Sequence, residues 1–223
     1  MKKIPDAILK EIIFGMEDGM VSTLGALTGV AIGSQNMDYI LLTGTVIIAV
    51  ESISMGVGSF LSGQSIRERQ LMEIELERNL VHKETEAEIL ELEEMLQRDG
   101  WSKKLAKQMS KEAGENKDLL FREMQYRELE LQLKNLHNNN HGAWGMFVAY
   151  IIGGFIPLSA YLIFRLPEAI WWSITFSLIG LFLLGIAVSD RPGITRLKRA
   201  IRMMLFGGLA ILIGVLAGMF FRV

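Results

Sequence analysis

The chain has 223 residues, no cysteine, half of its residues hydrophobic and a formal net charge of −2. Zero cysteine excludes disulfides and thiolate metal sites, so any metal centre must use carboxylate, thioether, imidazole or amide groups. The near-balanced charge argues against a nucleic-acid-binding surface.

A mean hydropathy of +0.30 averages two unlike populations. Residues 12–63 and 142–221 are mostly apolar, whereas 66–137 are dense in Glu, Lys and Arg. This pattern predicts an all-α membrane protein: five transmembrane helices with a three-helix cytoplasmic metal-binding insert between helices 2 and 3. The corresponding domains are 1–65, 66–140 and 141–223. The N-terminus carries Lys2, Lys3 and Lys10 and lacks the pattern of a cleavable signal.

Residues 1–11 read as an amphipathic lead-in at the membrane surface. The first span is expected over 12–34, rich in small residues at spacings of four that suit close helix contact, such as Gly15, Gly19, Gly25, Gly29 and Gly33. Gly33, Ser34, Gln35 and Asn36 predict a tight turn, so the second span, 39–63, is an antiparallel neighbour. From Gln64 the helix is expected to continue into water and end at Asp99-Gly100. Ser102 then caps a short helix to Gly114, and a third runs over 115–136 before Asn138-Asn139-Asn140. Spans three to five are expected over 143–164 (with Pro157 inside), 169–188 and 201–221. Lys and Arg concentrate at the N-terminus, in the insert and at Arg191, Arg196, Lys198, Arg199 and Arg202. By the positive-inside rule these regions face the cytoplasm.

The first two spans carry acids where hydrocarbon is expected. Asp18 sits in Glu17-Asp18-Gly19, and Glu51 lies one helical turn from Met55. An ionisable group at the centre of a membrane helix costs roughly 2.5–3.5 kcal/mol on insertion scales, so it points to function. Asp18 and Met55 are expected at similar depth, and a carboxylate with a thioether suits a divalent transition metal. Glu51 has no Lys or Arg in these spans to pair with, which suits a group that exchanges a proton for a cation. Glu17 lies about 100° round the helix from Asp18 and is assigned to the interface. Met16 and Met20 read as packing.

In the insert, Glu77, Glu84, Glu88, Glu91 and Met95 form one helical stripe without intervening cations, which favours an external cation as partner. Met124 and Glu128, four residues apart, are expected to complete an oxygen-rich metal site. His82, His137 and His141 show no ligand spacing. No nucleophile–base pair, phosphate loop or cofactor motif is present in the sequence, which points away from an enzyme.

Together these residues resemble the vacuolar iron transporter family. The resemblance is carried by Asp18-Gly19, by Ser54-Met55-Gly56-Val57-Gly58 through Ser62, Gln64 and Arg67-Glu68, and by the Glu-rich insert. It continues through Phe155-Ile156-Pro157-Leu158 and from Arg199-Ala200-Ile201-Arg202-Met203 to Gly207-Gly208-Leu209. It implies a five-span homodimer that exports cytosolic Fe²⁺, often also Mn²⁺, in exchange for protons along a path between the first helices. On that basis Asp18 and Met55 match the membrane path, and Glu77, Glu88, Glu91, Met124 and Glu128 match the insert ligands. Glu51 and Glu84 are added from their own positions in the pattern. Such a protein would sit in the plasma membrane of a prokaryote or the vacuolar membrane of a eukaryote. Three departures bear on ion preference: Ser59 where the family commonly has Glu, Leu80 where another insert Glu is expected, and Gln125 in place of a second Met. The rival reading is a membrane-anchored metal sensor or scaffold, which has no need for Asp18 or Glu51.

Overall fold

A computed structural model describes residues 5–127, 140–188 and 195–221. Glu128, His137, Asn138, Asn139 and Arg191 lie outside the described residues. The described residues form α1 (Asp6–Ser34), α2 (Met37–Lys83), α3 (Thr85–Arg98), α4 (Lys103–Glu115), α5 (Lys117–Arg127), α6 (Asn140–Ile163), α7 (Glu168–Ala187) and α8 (Arg196–Phe220), with no strand among them. The chain divides into two compact units, Met1–Leu61 with Asn139–Val223, and Ser62–Asn138.

In the first unit, α2, α6, α7 and α8 are each long and apolar enough to cross a membrane. Helix α1 has 29 residues but does not join them on hydropathy, because Glu17, Asp18 and its many small residues interrupt the apolar run. It begins at Asp6, so the described part of the predicted surface lead-in is continuous with the helix that follows. Helix α1 packs against α6, α7 and α8. Its Leu27 and Ala31 also share a core with Ile40 and Ile48 of α2 and Leu158 of α6. Several of its hydroxyls turn back onto its own backbone. Thr28 Oγ1 donates to the Leu24 carbonyl and Ser34 Oγ to that of Val30, each at 2.7 Å, so these polar side chains satisfy themselves within the helix.

The predicted turn between the first two helices forms as expected. Gln35 adopts a left-handed conformation (φ 50°), and Asn36 Oδ1 accepts from the backbone N–H groups of Asp38 (2.9 Å) and Tyr39 (3.3 Å), capping α2. Helix α6 continues through Pro157, whose carbonyl accepts from Ser173 Oγ of α7 at 2.9 Å. Helix α8 starts at Arg196, five residues ahead of the expected start at 201. Arg196, Lys198 and Arg199, expected ahead of the helix, therefore lie on its first turn, and the Arg199 guanidinium donates to the Val188 carbonyl at 2.9 Å.

In the second unit the long charged helix expected to run to Asp99 is interrupted at Glu84, where φ is −121° and ψ is 38°. Helix α2 ends at Lys83 and α3 starts at Thr85, whose hydroxyl donates to the Val81 carbonyl across the break at 2.8 Å. The break lets two helices contribute to one core. Val81 of α2, Leu92 and Leu96 of α3, Ala106 and Ala113 of α4, and Leu120 and Met124 of α5 pack together. The end of α3 follows from its glycine. Gly100 takes φ +100°, the Trp101 N–H donates to Leu96 and the Gly100 N–H to Gln97, both at 3.1 Å, which satisfies two carbonyls of the last turn. Ser102 then caps α4 through the Leu105 N–H, as the sequence predicts.

Candidate functional site

The acids of α1 are held where glycine lets its neighbours come close. A Cβ on Gly15 would stand 2.5 Å from the Met146 carbonyl oxygen, and one on Gly19 would collide with the Tyr150 carbonyl. Gly153 of α6 meets the Met16 carbonyl in the same way. Further along, Gly25, Gly29 and Gly33 lie against Ala210, Gly214 and Gly218 of α8. Asp18 thus lies between two glycines that contact α6, and the contacts with α8 begin further along at Gly25.

Two grooves follow α1 beside α8. One, of about 890 Å³, is lined by Asp18, Ser22, Gly25, Gly29, Gly33 and Tyr39 among others. The second, of about 340 Å³, is lined by Phe14, Glu17, Asp18, Phe206 and Leu209 among others. Asp18 borders both. Glu17, assigned from the sequence to the interface, lines the second groove beside Asp18. That groove wraps round α1 far enough to take in both positions, and the two neighbouring carboxylates repel each other.

Asp18 also feels the carboxylate of Glu51 across from α2, so the structure brings these two predicted acids within electrostatic range. Glu51 is exposed on α2 within this chain, and Met55, one turn on, is half-buried. Met20 is fully buried in a core with Leu181 and Met203, and Met16 packs against it, in keeping with their reading as packing residues. Two residues near Asp18 were not singled out from the sequence. Ser22 Oγ donates to the Asp18 backbone carbonyl at 2.7 Å and also lies 2.7 Å from the Tyr150 hydroxyl. Tyr150 is completely buried and lies within electrostatic range of both Asp18 and Glu51. The signal for Ser22 was its place one turn from Asp18; nothing local marks Tyr150.

The insert residues separate. Glu77 (3% exposed), Glu88 (5%) and Met124 (0%) are buried, whereas Glu84 and Glu91 are exposed. The break at Glu84 ends the continuous stripe, and Glu91, on the same helix as Glu88, falls off the buried face of α3. The predicted stripe required one unbroken helix, and instead the buried face of α3 is Glu88, Leu92 and Leu96. Glu77 lies one turn before Val81 and Glu88 one turn before Leu92, so both acids adjoin the core that includes Met124. Carboxylate and thioether donors suit a divalent transition metal. Among the described residues, no three His, Asp or Glu are grouped to hold an ion. Leu80 is 41% exposed, while Gln125 is buried beside Met124.

Four helices long and apolar enough to cross a membrane, packed in one unit and joined to a second, charged helical unit, define the class of an integral membrane protein. The chain belongs to the VIT family, whose pattern matches residues 9–219. It is similar to vacuolar iron transporter 1 of Arabidopsis thaliana, 26% identical over 91% of this chain and 82% of that protein. It is also similar to vacuolar iron transporter 1 of Tulipa gesneriana, 24% identical over 91% of this chain and 83% of the other. A further relative is the vacuolar iron transporter of Plasmodium berghei (strain Anka), 26% identical over 93% of this chain and 81% of its own length.

Proposed function

We propose that this protein is a proton-coupled antiporter that moves a divalent transition metal, Fe²⁺ and also Mn²⁺, out of the cytosol. The observation that carries this reading is Asp18. It is a carboxylate inside a glycine-packed helix, bordering both grooves beside α8 and within electrostatic range of Glu51. A static scaffold has no use for such acids in a membrane, where they are costly. The names of its relatives, vacuolar iron transporters, supply the cargo.

In this account α1 is the fifth span. Its 29 residues exceed what a hydrocarbon core of about 30 Å requires. The N-terminus and the 66–140 insert face the cytoplasm, as the Lys and Arg distribution favours. Two copies form a homodimer in which α1, its Gly25, Gly29 and Gly33 already packed on α8, approaches its counterpart along the groove lined by Asp18 and Ser22. Glu77, Glu88 and Met124 collect the ion in the insert, aided by Glu84, Glu91 and Glu128. Asp18, Glu51 and Met55 carry it through the membrane, and the carboxylates exchange it for protons. The test is Fe²⁺ uptake by proteoliposomes under a pH gradient. Uptake that follows the gradient supports antiport, and uptake indifferent to it refutes the coupling.

A further inference from the structure

Ser22 differs from the other back-bonded hydroxyls of α1 in having a second partner from another helix. Its single proton goes to the Asp18 backbone carbonyl at 2.7 Å. In the 2.7 Å contact between Ser22 Oγ and the Tyr150 hydroxyl, tyrosine must therefore be the donor. The bonds run one way, from Tyr150 to Ser22 to the Asp18 carbonyl. Thr28 and Ser34 make the same turn-back bond on α1, and the one further bond found for them, from the Asn36 N–H to Ser34 Oγ at 3.3 Å, is local rather than from another helix. Ser22 is left with no proton to offer and with one lone pair to spare. It lines the same groove as the Asp18 carboxylate, whereas Tyr150 is completely buried behind it.

We propose that Tyr150 is a positioning residue that fixes the Ser22 hydroxyl as an acceptor-only oxygen ligand for the divalent cation held at Asp18. A free serine rotates between donating and accepting; this one is committed to accepting, which is what a cation requires of a ligand. A neutral hydroxyl adds a hard oxygen to the site, offsetting the softer thioether of Met55 and favouring Mn²⁺ and Fe²⁺ over softer ions. Ligand-orienting partners of this kind typically change metal affinity 10–100-fold. The proposal rests on Asp18 being part of the transport path.

The test measures Mn²⁺ flux against Mn²⁺ concentration in proteoliposomes for wild type, Ser22→Ala, Ser22→Thr, Tyr150→Phe and the Ser22→Ala/Tyr150→Phe double variant. Tyr150→Phe keeps the ring and removes only the hydroxyl. It should raise the half-saturating Mn²⁺ concentration about tenfold, at the low end of the range for orienting partners. Ser22→Ala should do at least as much, and Ser22→Thr, which keeps the hydroxyl, should stay near wild type. Because Tyr150 acts through Ser22, the double variant should be no worse than Ser22→Ala alone. Additive losses in the double variant, or variants that saturate like wild type, overturn the proposal while leaving the transport reading intact. A wild type with no Mn²⁺ or Fe²⁺ flux overturns the transport reading and this proposal with it.

Discussion

Gly19 of α1 faces the backbone carbonyl of Tyr150 on α6 so closely that a Cβ at Gly19 would collide with it. The contact is backbone against backbone, so no side-chain rotation relieves it. Gly19→Val should therefore cost on the order of 1–3 kcal/mol, as overpacking of a tight interior does, and Gly15→Val should behave alike. Gly208, with nothing within 4 Å of a built Cβ, is the control, and Gly208→Ala should melt at or slightly above wild type. Thermal unfolding of detergent-purified protein checks this. Equal melting of Gly19→Val and wild type would deny the close approach of α1 and α6.

Much of this architecture was legible in the sequence, and for identifiable reasons. Long apolar runs set the membrane helices, and the chemistry at Gln35-Asn36 and at Gly100 and Ser102 set two of the turns. The acids Asp18 and Glu51 stood out because hydrocarbon should not hold them. Less legible was anything that depends on which helices meet. The interruption at Glu84 has no glycine or proline to announce it; the common core of α2, α3, α4 and α5 accounts for it, and it breaks the continuous acidic stripe. Tyr150 is one more aromatic residue in an apolar helix until α6 is laid against α1. Glu17 joins Asp18 in one groove because of where α8 lies.

The division of the insert acids makes a prediction. Glu77→Gln and Glu88→Gln, at buried positions, should each weaken Mn²⁺ binding to the detergent-purified protein about tenfold, or about 1.4 kcal/mol. Glu84→Gln and Glu91→Gln, at exposed positions in an aiding role, should each weaken binding by less than either buried variant. Gln keeps the shape and the helix propensity, so helicity should not change. Calorimetry on the four variants decides it, and equal losses at all four would restore the single continuous stripe.

The turn between α3 and α4 offers a stability test independent of transport. Gly100→Ala places a Cβ on a residue at φ +100° and should cost roughly 1–2 kcal/mol. Ser102→Ala removes a cap whose bond to the Leu105 N–H is long, at 3.4 Å, and should cost roughly 0.5–1 kcal/mol. Both should speed amide hydrogen exchange at the end of α3 and the start of α4 in the full-length protein. Unchanged exchange in Gly100→Ala would contradict the left-handed turn.

Met55 is the softest group on the proposed path. Met55→Leu keeps the apolar volume and removes only the thioether, so it should reduce Fe²⁺ flux more than Mn²⁺ flux. The ratio of the two fluxes in one proteoliposome preparation is the measurement. A parallel fall in both would indicate a packing role.

The central claim is that Asp18 is the membrane ligand and proton-exchange group. Asp18→Asn keeps the size and one carbonyl acceptor but can neither hold a negative charge nor release a proton. Removing a charge from the interior also lifts its desolvation cost, so the variant should melt at or above the wild-type temperature. The direct measurement is Fe²⁺ flux under a pH gradient in proteoliposomes, with melting temperature taken on the same preparations. The account predicts no flux from an intact, equally or more stable Asp18→Asn protein. Wild-type flux in that variant would contradict it and move the path away from α1.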